Sequence, residues 1–219
     1  MGREIDLLEN YPRAKRNVEQ RGTEKTEEDR SIARQFGRDF FDGDRRHGYG
    51  GFFYQPRFWQ PVVPTFRDHF ILEAGSSLLD VGCAKGFMLH DFARLIPGLE
   101  VRGIDISEYA IEHALDDVLD YVQVADARSL PFDDDEFDVV VSINTIHNLE
   151  YEDCAESLRE IERVARHGSF ITVDAYRNDE ERQRMVAWNL TAKTVMSVDD
   201  WIDFFAKVGY TGDYYWFIP

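Results

Sequence analysis

Short apolar runs and amphipathic segments alternate along the chain from residue 61 onwards. Brief apolar runs bounded by turn or acidic residues are typical of buried β-strands. The predicted strands are 78–81, 101–105, 121–125, 137–142, 169–174 and 214–218. Apolar residues at helical spacing predict helices around them, at 61–72, 85–95, 107–120, 151–166, 179–188 and 198–208. This alternation predicts an α/β fold with an open, twisted, mostly parallel sheet and helices on both faces.

The segment LLDVGCAKGFML, from Leu78 to Leu89, joins the first predicted strand to the next helix. An apolar run, a glycine-spaced turn and an amphipathic segment are typical of a parallel strand leading into a helix. Gly82 and Gly86 permit backbone angles that a Cβ would forbid, so we expect the loop's N–H groups to face a ligand above the strand end. An ordinary glycine turn is the alternative.

Carboxylates also end the second and third predicted strands. Asp105 closes the second strand, where open α/β folds commonly place a carboxylate that binds ribose hydroxyls. Asp126 closes the third strand at the corresponding position. Because the carboxyl ends of parallel strands converge on one crevice, these residues predict a nucleoside-binding site.

Four motifs, taken in this order, resemble those of the class I S-adenosylmethionine-dependent methyltransferases. They are Asp80-x-Gly82-x-x-x-Gly86, Gly103-Ile104-Asp105-Ile106-Ser107, Ala125-Asp126-Ala127 with Leu130-Pro131-Phe132, and Glu136-Phe137-Asp138-Val139-Val140-Val141-Ser142. The resemblance implies a Rossmann-like fold and S-adenosyl-L-methionine as the cofactor. The chain departs from the pattern at Ala84 and Lys85, where many members have a further glycine.

The resemblance also implies which residues contact the cofactor. Its methionine moiety is expected over Gly82 to Gly86, its ribose on Asp105, and its adenine amino group facing Asp126. The full set of expected cofactor-binding residues is Asp80, Gly82, Cys83, Ala84, Gly86, Asp105, Ile106, Asp126, Ala127 and Asn144.

A nicotinamide dinucleotide site in an oxidoreductase is a competing interpretation of the same loop. That site needs the spacing G-x-G-x-x-G, which seats a pyrophosphate on the helix N-terminus. The loop offers only Gly82 and Gly86, so a donor without phosphate fits better. A protein that binds the cofactor for regulation, without methyl transfer, is a second alternative.

Residues 39–72 combine aromatic residues with Gly and Arg, which predicts a cap over the mouth of the site. We expect residues 1–38 to form a charged, mobile or loosely helical arm, and residues 73–219 to form the methyltransferase domain. Tyr49, Tyr54, Arg57 and Trp59 are candidate substrate contacts because their polar ends need partners when buried. A small satellite core is the alternative for the cap's other aromatic residues.

The cap also carries Arg45, Arg46, His47 and Arg57 in a strongly acidic chain. Positive charge concentrated near the entrance would favour an anionic acceptor, such as a carboxylic acid or a sugar derivative. The alternative is that neighbouring carboxylates neutralise it. The candidate partners are Asp39, Asp42 and Asp44.

The segment after the fourth strand, 143–149, should face the acceptor. Asn144 is expected near the cofactor's amino-acid end, and His147 and Asn148 near the substrate. His147 is a candidate general base because an unperturbed imidazole titrates near neutral pH. The alternative is that His147 only holds the loop. The Asn/Asp-Pro-Pro-aromatic motif of methyltransferases acting on nucleic-acid bases or glutamine is absent.

The composition restricts the classes of acceptor and the cellular location that we expect. The net charge of −17 in 219 residues argues against nucleic-acid and anionic-membrane partners, which bind through clustered Lys and Arg. Cys83 and Cys154 form neither a disulfide framework nor a metal-ligand pattern, so we expect no metal. Without a signal sequence or a hydrophobic span, the expected location is the cytoplasm. The sequence thus predicts methyl transfer to a small polar acceptor.

Overall fold

The computed structural model describes residues 2–13 and 25–219, and its centre is a seven-stranded sheet. The strands are β1 (Ser77–Val81), β2 (Glu100–Asp105), β3 (Val122–Val124), β4 (Phe137–Ile143), β5 (Ala165–Tyr176), β6 (Met196–Ser197) and β7 (Asp213–Phe217). Their order is β3-β2-β1-β4-β5, and both β6 and β7 pair with β5. Each of these strand pairs is parallel. The predicted open, Rossmann-like α/β sheet is confirmed, with one strand more than the six expected and a parallel last strand.

Helices cover both faces of this sheet. The described helices are α1 (Glu27–Ala33), α2 (Arg38–Phe41), α3 (Pro56–Trp59), α4 (Val63–Phe70), α5 (Phe87–Leu95), α6 (Glu108–Glu112), α7 (Tyr151–Val164), α8 (Asp179–Trp188) and α9 (Val198–Val208). Short 3₁₀ turns lie at Leu119–Tyr121 and Ile146–Asn148. No described helix combines the length and the apolar character needed to cross a bilayer.

Alternation along the strands divides the core into two layers. In β4, Val139 and Val141 pack with α4 and α5, whereas Val140 packs with α7 and α9 on the other face. Successive side chains of a strand point to opposite faces, so a strand covered by helices on both faces is apolar throughout. The order reverses direction between β1 and β4, which is where an open α/β sheet forms its ligand crevice.

Two helices end earlier than the sequence predicts, because the residues that follow them pair with other parts of the fold. The helix expected at 107–120 ends at Glu112, and the N–H of Leu115 donates to the carbonyl of Lys85 instead of a helical carbonyl. The helix expected to reach residue 166 ends at Val164, because Ala165 already pairs with Phe137 of β4. His167 and Gly168, which follow the predicted helix, lie inside β5.

The structure describes residues 2–13 and 25–38 of the expected mobile or loosely helical arm, whereas residues 1 and 14–24 lie outside the described residues. The N–H of Ile5 donates to the Tyr214 carbonyl, which extends the edge of β7, and Leu7 is buried in the core. Helix α1 begins with a capping box in which Thr26 and Asp29 exchange hydrogen bonds.

Candidate active site

A large cavity, about 2250 Å³ in volume, opens at the carboxyl ends of the strands. Its wall includes Asp80 from β1, Asp105 from β2, Asn144 after β4 and Asp174 from β5. Single-ligand pockets typically hold roughly 300–1,000 Å³, so this cavity has room for two ligands side by side. The strand-end residues singled out in the sequence therefore share one site.

Four N–H groups of the loop after β1 are already bonded within the protein. The Gly82 and Cys83 N–H groups donate to the Ile104 carbonyl at 2.7 and 2.9 Å. The Ala84 N–H donates to Asp105 Oδ2 at 2.8 Å, and the Gly86 N–H donates to the Cys83 carbonyl. The expectation that the loop's N–H groups face a ligand is therefore wrong for these four groups. A pyrophosphate would find no N–H cradle there, which disfavours a dinucleotide site.

Close packing explains the backbone of this loop. A Cβ on Gly82 would lie 2.1 Å from Thr145 Oγ1, so only glycine fits beneath the segment that follows β4. Ala84 adopts a φ of +49°, which is the left-handed region that favours glycine. The residue that departs from the family pattern thus keeps the backbone conformation that a glycine would adopt.

Two carboxylates form the acidic floor of the cavity. Asp80 is 4% exposed, and its carboxylate accepts no hydrogen bond from the described residues. Burial, with a further effect from the negative charge of Asp105, raises the pKa of Asp80 well above its ordinary value. Burial also raises the pKa of Asp105, which accepts N–H bonds from Ala84 and Ser107. A bound cation would reduce the free-energy cost of keeping both buried carboxylates ionised.

This acidic floor fits S-adenosylmethionine better than a phosphorylated cofactor. The methyl donor carries a sulfonium and an ammonium cation, and no phosphate. The Asp105 carboxylate accepts two N–H hydrogen bonds and still has free lone pairs that can accept hydrogen bonds from ribose hydroxyls. Ile106 is 56% exposed on the cavity wall and offers an apolar surface to a base.

Asp126 and Ala127 also line the cavity, but the Asp126 carboxylate is engaged by a neighbour. Arg128 donates to both of its oxygens, at 3.0 and 2.6 Å, and also reaches Asp153. These side-chain hydrogen bonds from Arg128 lower the pKa of Asp126. Its contact with adenine remains a prediction.

His147 is held in a way that does not suit a general base. Its ring is buried, and its Nδ1 accepts the Asp174 N–H at 3.0 Å. The neutral ring must therefore carry its proton on Nε2, which lies 3.8 Å from Asp174 Oδ1. Burial lowers the pKa of His147, so neither nitrogen offers a free lone pair. The geometry supports the alternative, in which His147 holds the loop.

The two asparagines of the same loop differ in how they are engaged. Asn144 has a φ of +53°, and its Oδ1 accepts the Thr172 hydroxyl at 2.9 Å. Asn148 donates from Nδ2 to the Asn144 carbonyl, whereas its Oδ1 is buried without a hydrogen-bond partner. Since Asn148 also lines the cavity, that oxygen is a candidate acceptor for a ligand N–H or O–H.

The four cap residues proposed for the substrate separate into two pairs. Tyr49 and Trp59 line the cavity, but Tyr54 and Arg57 do not, so the prediction for the latter two is corrected. The Tyr54 hydroxyl donates to the buried Asp91 of α5 at 2.6 Å. The guanidinium of Arg57 lies over the Phe58 ring, 4.9 Å from its centroid.

Neighbouring groups engage most of the positive charge of the cap. Arg46 pairs with Asp44 at 3.3 Å, and His47 Nε2 lies 3.2 Å from Asp29 Oδ1. The guanidinium of Arg45 donates to the Tyr49 carbonyl. These contacts favour the alternative in which the charge of the cap is neutralised. Of the expected partners Asp39, Asp42 and Asp44, only Asp44 pairs with one of these cations.

Residues that the sequence did not single out also shape the site. Lys85 turns away from the cavity floor and donates to Asp42 and to the Phe52 carbonyl, which ties the cap to the loop. Its position beside Ala84, where the motif departs from the family, was the only signal. Arg34 lines the cavity from the end of α1, in a segment that sequence patterning treated as part of the arm.

No group of three or more His, Cys, Asp or Glu side chains in the described part of the chain could hold a metal ion. Cys83 and Cys154 are both buried, unpaired thiols. Burial is the main cause that raises the pKa of Cys83 well above its usual value and that of Cys154 to about 12. Neither thiol is therefore activated as a nucleophile.

Comparison with known proteins agrees with this geometry. A family model described as a methyltransferase domain matches residues 79–173. The chain is 34% identical over 146 residues to 27-O-demethylrifamycin SV methyltransferase of Amycolatopsis mediterranei, covering 59% of this chain and 52% of that protein. It is 29% identical over 144 residues to the tRNA (carboxymethyluridine(34)-5-O)-methyltransferase of Arabidopsis thaliana, covering 65% of this chain and 33% of that protein.

Among solved structures, the YcgJ protein of Bacillus subtilis superimposes with a TM-score of 0.55 at 21% identity, covering 67% of this chain and 66% of that one. That likeness shows the shared fold. Residues 79–173 form a class I S-adenosylmethionine-dependent methyltransferase domain, whose cofactor is S-adenosylmethionine. The chain spans about half or less of the length of the two curated relatives described above.

Proposed function

We propose that this chain transfers a methyl group from S-adenosylmethionine to a small polar acceptor. The observation that carries the proposal is the buried, unpartnered carboxylate of Asp80 beside Asp105, on the floor of a cavity with room for two ligands. A floor of this kind binds a cationic donor more favourably than a neutral or phosphorylated one. The match of residues 79–173 to a methyltransferase-domain model supports the same conclusion.

In this proposal the chain mainly positions and shields the reactants. S-adenosylmethionine would supply a sulfonium-activated methyl group. A lone pair of the acceptor would take it by in-line displacement, the C–S electron pair would stay on sulfur, and the acceptor's N–H or O–H proton would leave to solvent. Gly82 lets the loop after β1 pack against Thr145, and Asp105 holds the ribose. The cap excludes water, and the buried Oδ1 of Asn148 orients an N–H or O–H of the acceptor. When the donor is intrinsically reactive, such alignment provides most of the rate enhancement.

The acceptor class follows from the same polar wall. A hydroxylated or amino-bearing small molecule would satisfy Asn148, whereas the paired charges of the cap reduce the support for a strongly anionic acceptor. The absence of nucleic-acid partners and the cytoplasmic location stay predictions. One relative named above is a tRNA methyltransferase, so tRNA belongs among the acceptors tested.

Calorimetry with S-adenosylmethionine and S-adenosylhomocysteine tests the donor site first. We expect both to bind, and binding of neither would overturn the proposal. Release of S-adenosylhomocysteine is then measured against a panel of hydroxylated, amino-bearing and carboxylic metabolites, with tRNA included. Turnover on a small polar acceptor that falls in Asn148→Ala is the expected result.

The geometry of His147 favours one second candidate, a protein of the same fold that binds the cofactor without transferring its methyl group. His147 presents no free lone pair to a ligand, so it cannot activate a hydroxyl acceptor as a base. Tight binding of the donor with no turnover on any acceptor of the panel would favour this candidate.

A further inference from the structure

The side chain of Arg34 is a guanidinium without a partner on the cavity wall. Arg34 is the C-cap residue that follows α1, and it is half-buried. Its Nε is fully buried and makes no hydrogen bond. No ion pair or side-chain hydrogen bond joins Arg34 to any residue in 2–13 or 25–219. A buried donor without a partner is rare in folded proteins and points to a ligand.

Most other cations on the cavity wall already have partners. The pairs are Arg13 with Asp6, Arg46 with Asp44, Arg128 with Asp126, Arg177 with Glu4, and Lys193 with Glu150. Arg184 has none among the described residues, but it is exposed, so water can solvate it. Arg34 differs because part of its guanidinium group is shielded from water.

The backbone after Arg34 is fastened to the donor site. The carbonyl of Phe36 accepts the Ser107 hydroxyl, and the Ser107 N–H donates to Asp105. Gln35 and Phe36 line the same cavity as Arg34. Arg34 is therefore two residues from a direct contact with the element that carries the proposed ribose ligand.

The donor's amino-acid end carries a carboxylate as well as an ammonium group. Four N–H groups of the loop after β1 are not free for that carboxylate, because those of Gly82, Cys83, Ala84 and Gly86 bond Ile104, Asp105 and Cys83. Lys85 is committed to Asp42, and Asp80 would repel a second negative charge. A carboxylate bound in this cavity must therefore find its cation elsewhere on the wall.

Resting on the proposed function, we propose that Arg34 binds the α-carboxylate of S-adenosylmethionine. A guanidinium binds a carboxylate through paired N–H bonds, which would also satisfy the buried Nε. Asp80 and Arg34 then take the two charges of the amino-acid end, the ammonium and the carboxylate. A carboxylate on the acceptor has the same chemistry, and the test separates the two sources.

The test compares S-adenosylhomocysteine with its decarboxylated analogue by calorimetry. Arg34→Met should weaken S-adenosylhomocysteine binding by about 10- to 100-fold, and should change binding of the decarboxylated analogue by less than about threefold. Arg34→Lys should lie between the two proteins. Arg184→Met makes the same charge change at an exposed site of the wall and should leave both affinities unchanged.

Three results would overturn the assignment. Unchanged S-adenosylhomocysteine binding in a folded Arg34→Met protein would exclude the donor's carboxylate, and a loss confined to acidic acceptors would move the contact to the acceptor. Equal losses for both ligands would indicate a structural role. Failure of the proposed function is distinct, since the unsubstituted protein would then bind neither S-adenosylmethionine nor S-adenosylhomocysteine.

Discussion

Lys85 Nζ lies 2.6 Å from Asp42 Oδ2, and this ion pair joins the loop after β1 to the cap. Both side chains are largely buried. Asp42 also accepts the Phe52 N–H at 2.9 Å and the Tyr109 hydroxyl at 2.7 Å, while Lys85 donates to the Phe52 carbonyl at 3.1 Å. The cap is thus fastened to the same loop that carries Gly82 and Ala84.

Lys85→Met should destabilise the protein by about 3 kcal/mol, because it leaves the Asp42 carboxylate buried without its cation. Chemical denaturation measures the change. The double variant Asp42→Asn/Lys85→Met removes both charges and should recover part of the loss. If the double variant is no more stable than Lys85→Met, the two residues are not coupled.

Asp42 should also make the protein sensitive to acid. Burial by itself would raise the pKa of Asp42, but hydrogen bonds from Lys85, the Phe52 N–H and Tyr109 outweigh it and lower the pKa to about 2. The stabilisation is fully present above the unfolded pKa of about 3.9, and it is lost as the pH falls towards about 2. Denaturation between pH 7 and pH 2 should show the stability advantage over Asp42→Asn shrinking across that window. An advantage that is constant with pH would contradict this.

Ala84→Gly should be neutral or stabilise the protein by up to about 1 kcal/mol. The left-handed φ of +49° costs an alanine roughly 1–2 kcal/mol, and glycine's extra freedom in the unfolded chain offsets part of the gain. Ala93→Gly, inside α5, is the matched control and should destabilise by about 1 kcal/mol. Equal destabilisation by both substitutions would show that Ala84 is not strained.

Asp105→Ala should weaken donor binding by roughly 1–3 kcal/mol, because the ribose hydroxyls lose a charged acceptor. The structure adds a second expectation, a loss of stability of about 1–3 kcal/mol, since the N–H groups of Ala84 and Ser107 lose their partner. Calorimetry and thermal denaturation measure the two effects. A folded Asp105→Ala protein that binds the donor as tightly as the unsubstituted protein would show that the ribose lies elsewhere.

His147→Asn should preserve the fold and most of any turnover, because an asparagine Oδ1 can take the place of Nδ1 as acceptor of the Asp174 N–H. His147→Leu removes that acceptor and should lower stability by about 1–3 kcal/mol. The rate measured against pH should keep its shape in His147→Asn. Loss of an ionisation from that profile would restore His147 as a catalytic base.

The sequence by itself determined the class of fold and the place of the site. Apolar runs alternating with helical periodicity predict a parallel sheet, and the carboxyl ends of its strands share one edge, so Asp105 and Asp126 could be placed together from local pattern alone. The sequence also marked Gly82 as a turn glycine, but the close approach of Thr145 that requires it was visible only in the tertiary structure.

Only the tertiary structure decided which polar groups remain free for a ligand. The loop N–H groups are occupied by Ile104 and Asp105, and His147 is held by the backbone of Asp174, all through contacts between segments distant in the chain. Likewise, only the tertiary structure showed that the Arg34 side chain has no partner among the described residues. Periodicity and motifs report the local backbone, whereas hydrogen-bond satisfaction depends on groups that meet only when the sheet and cap have packed.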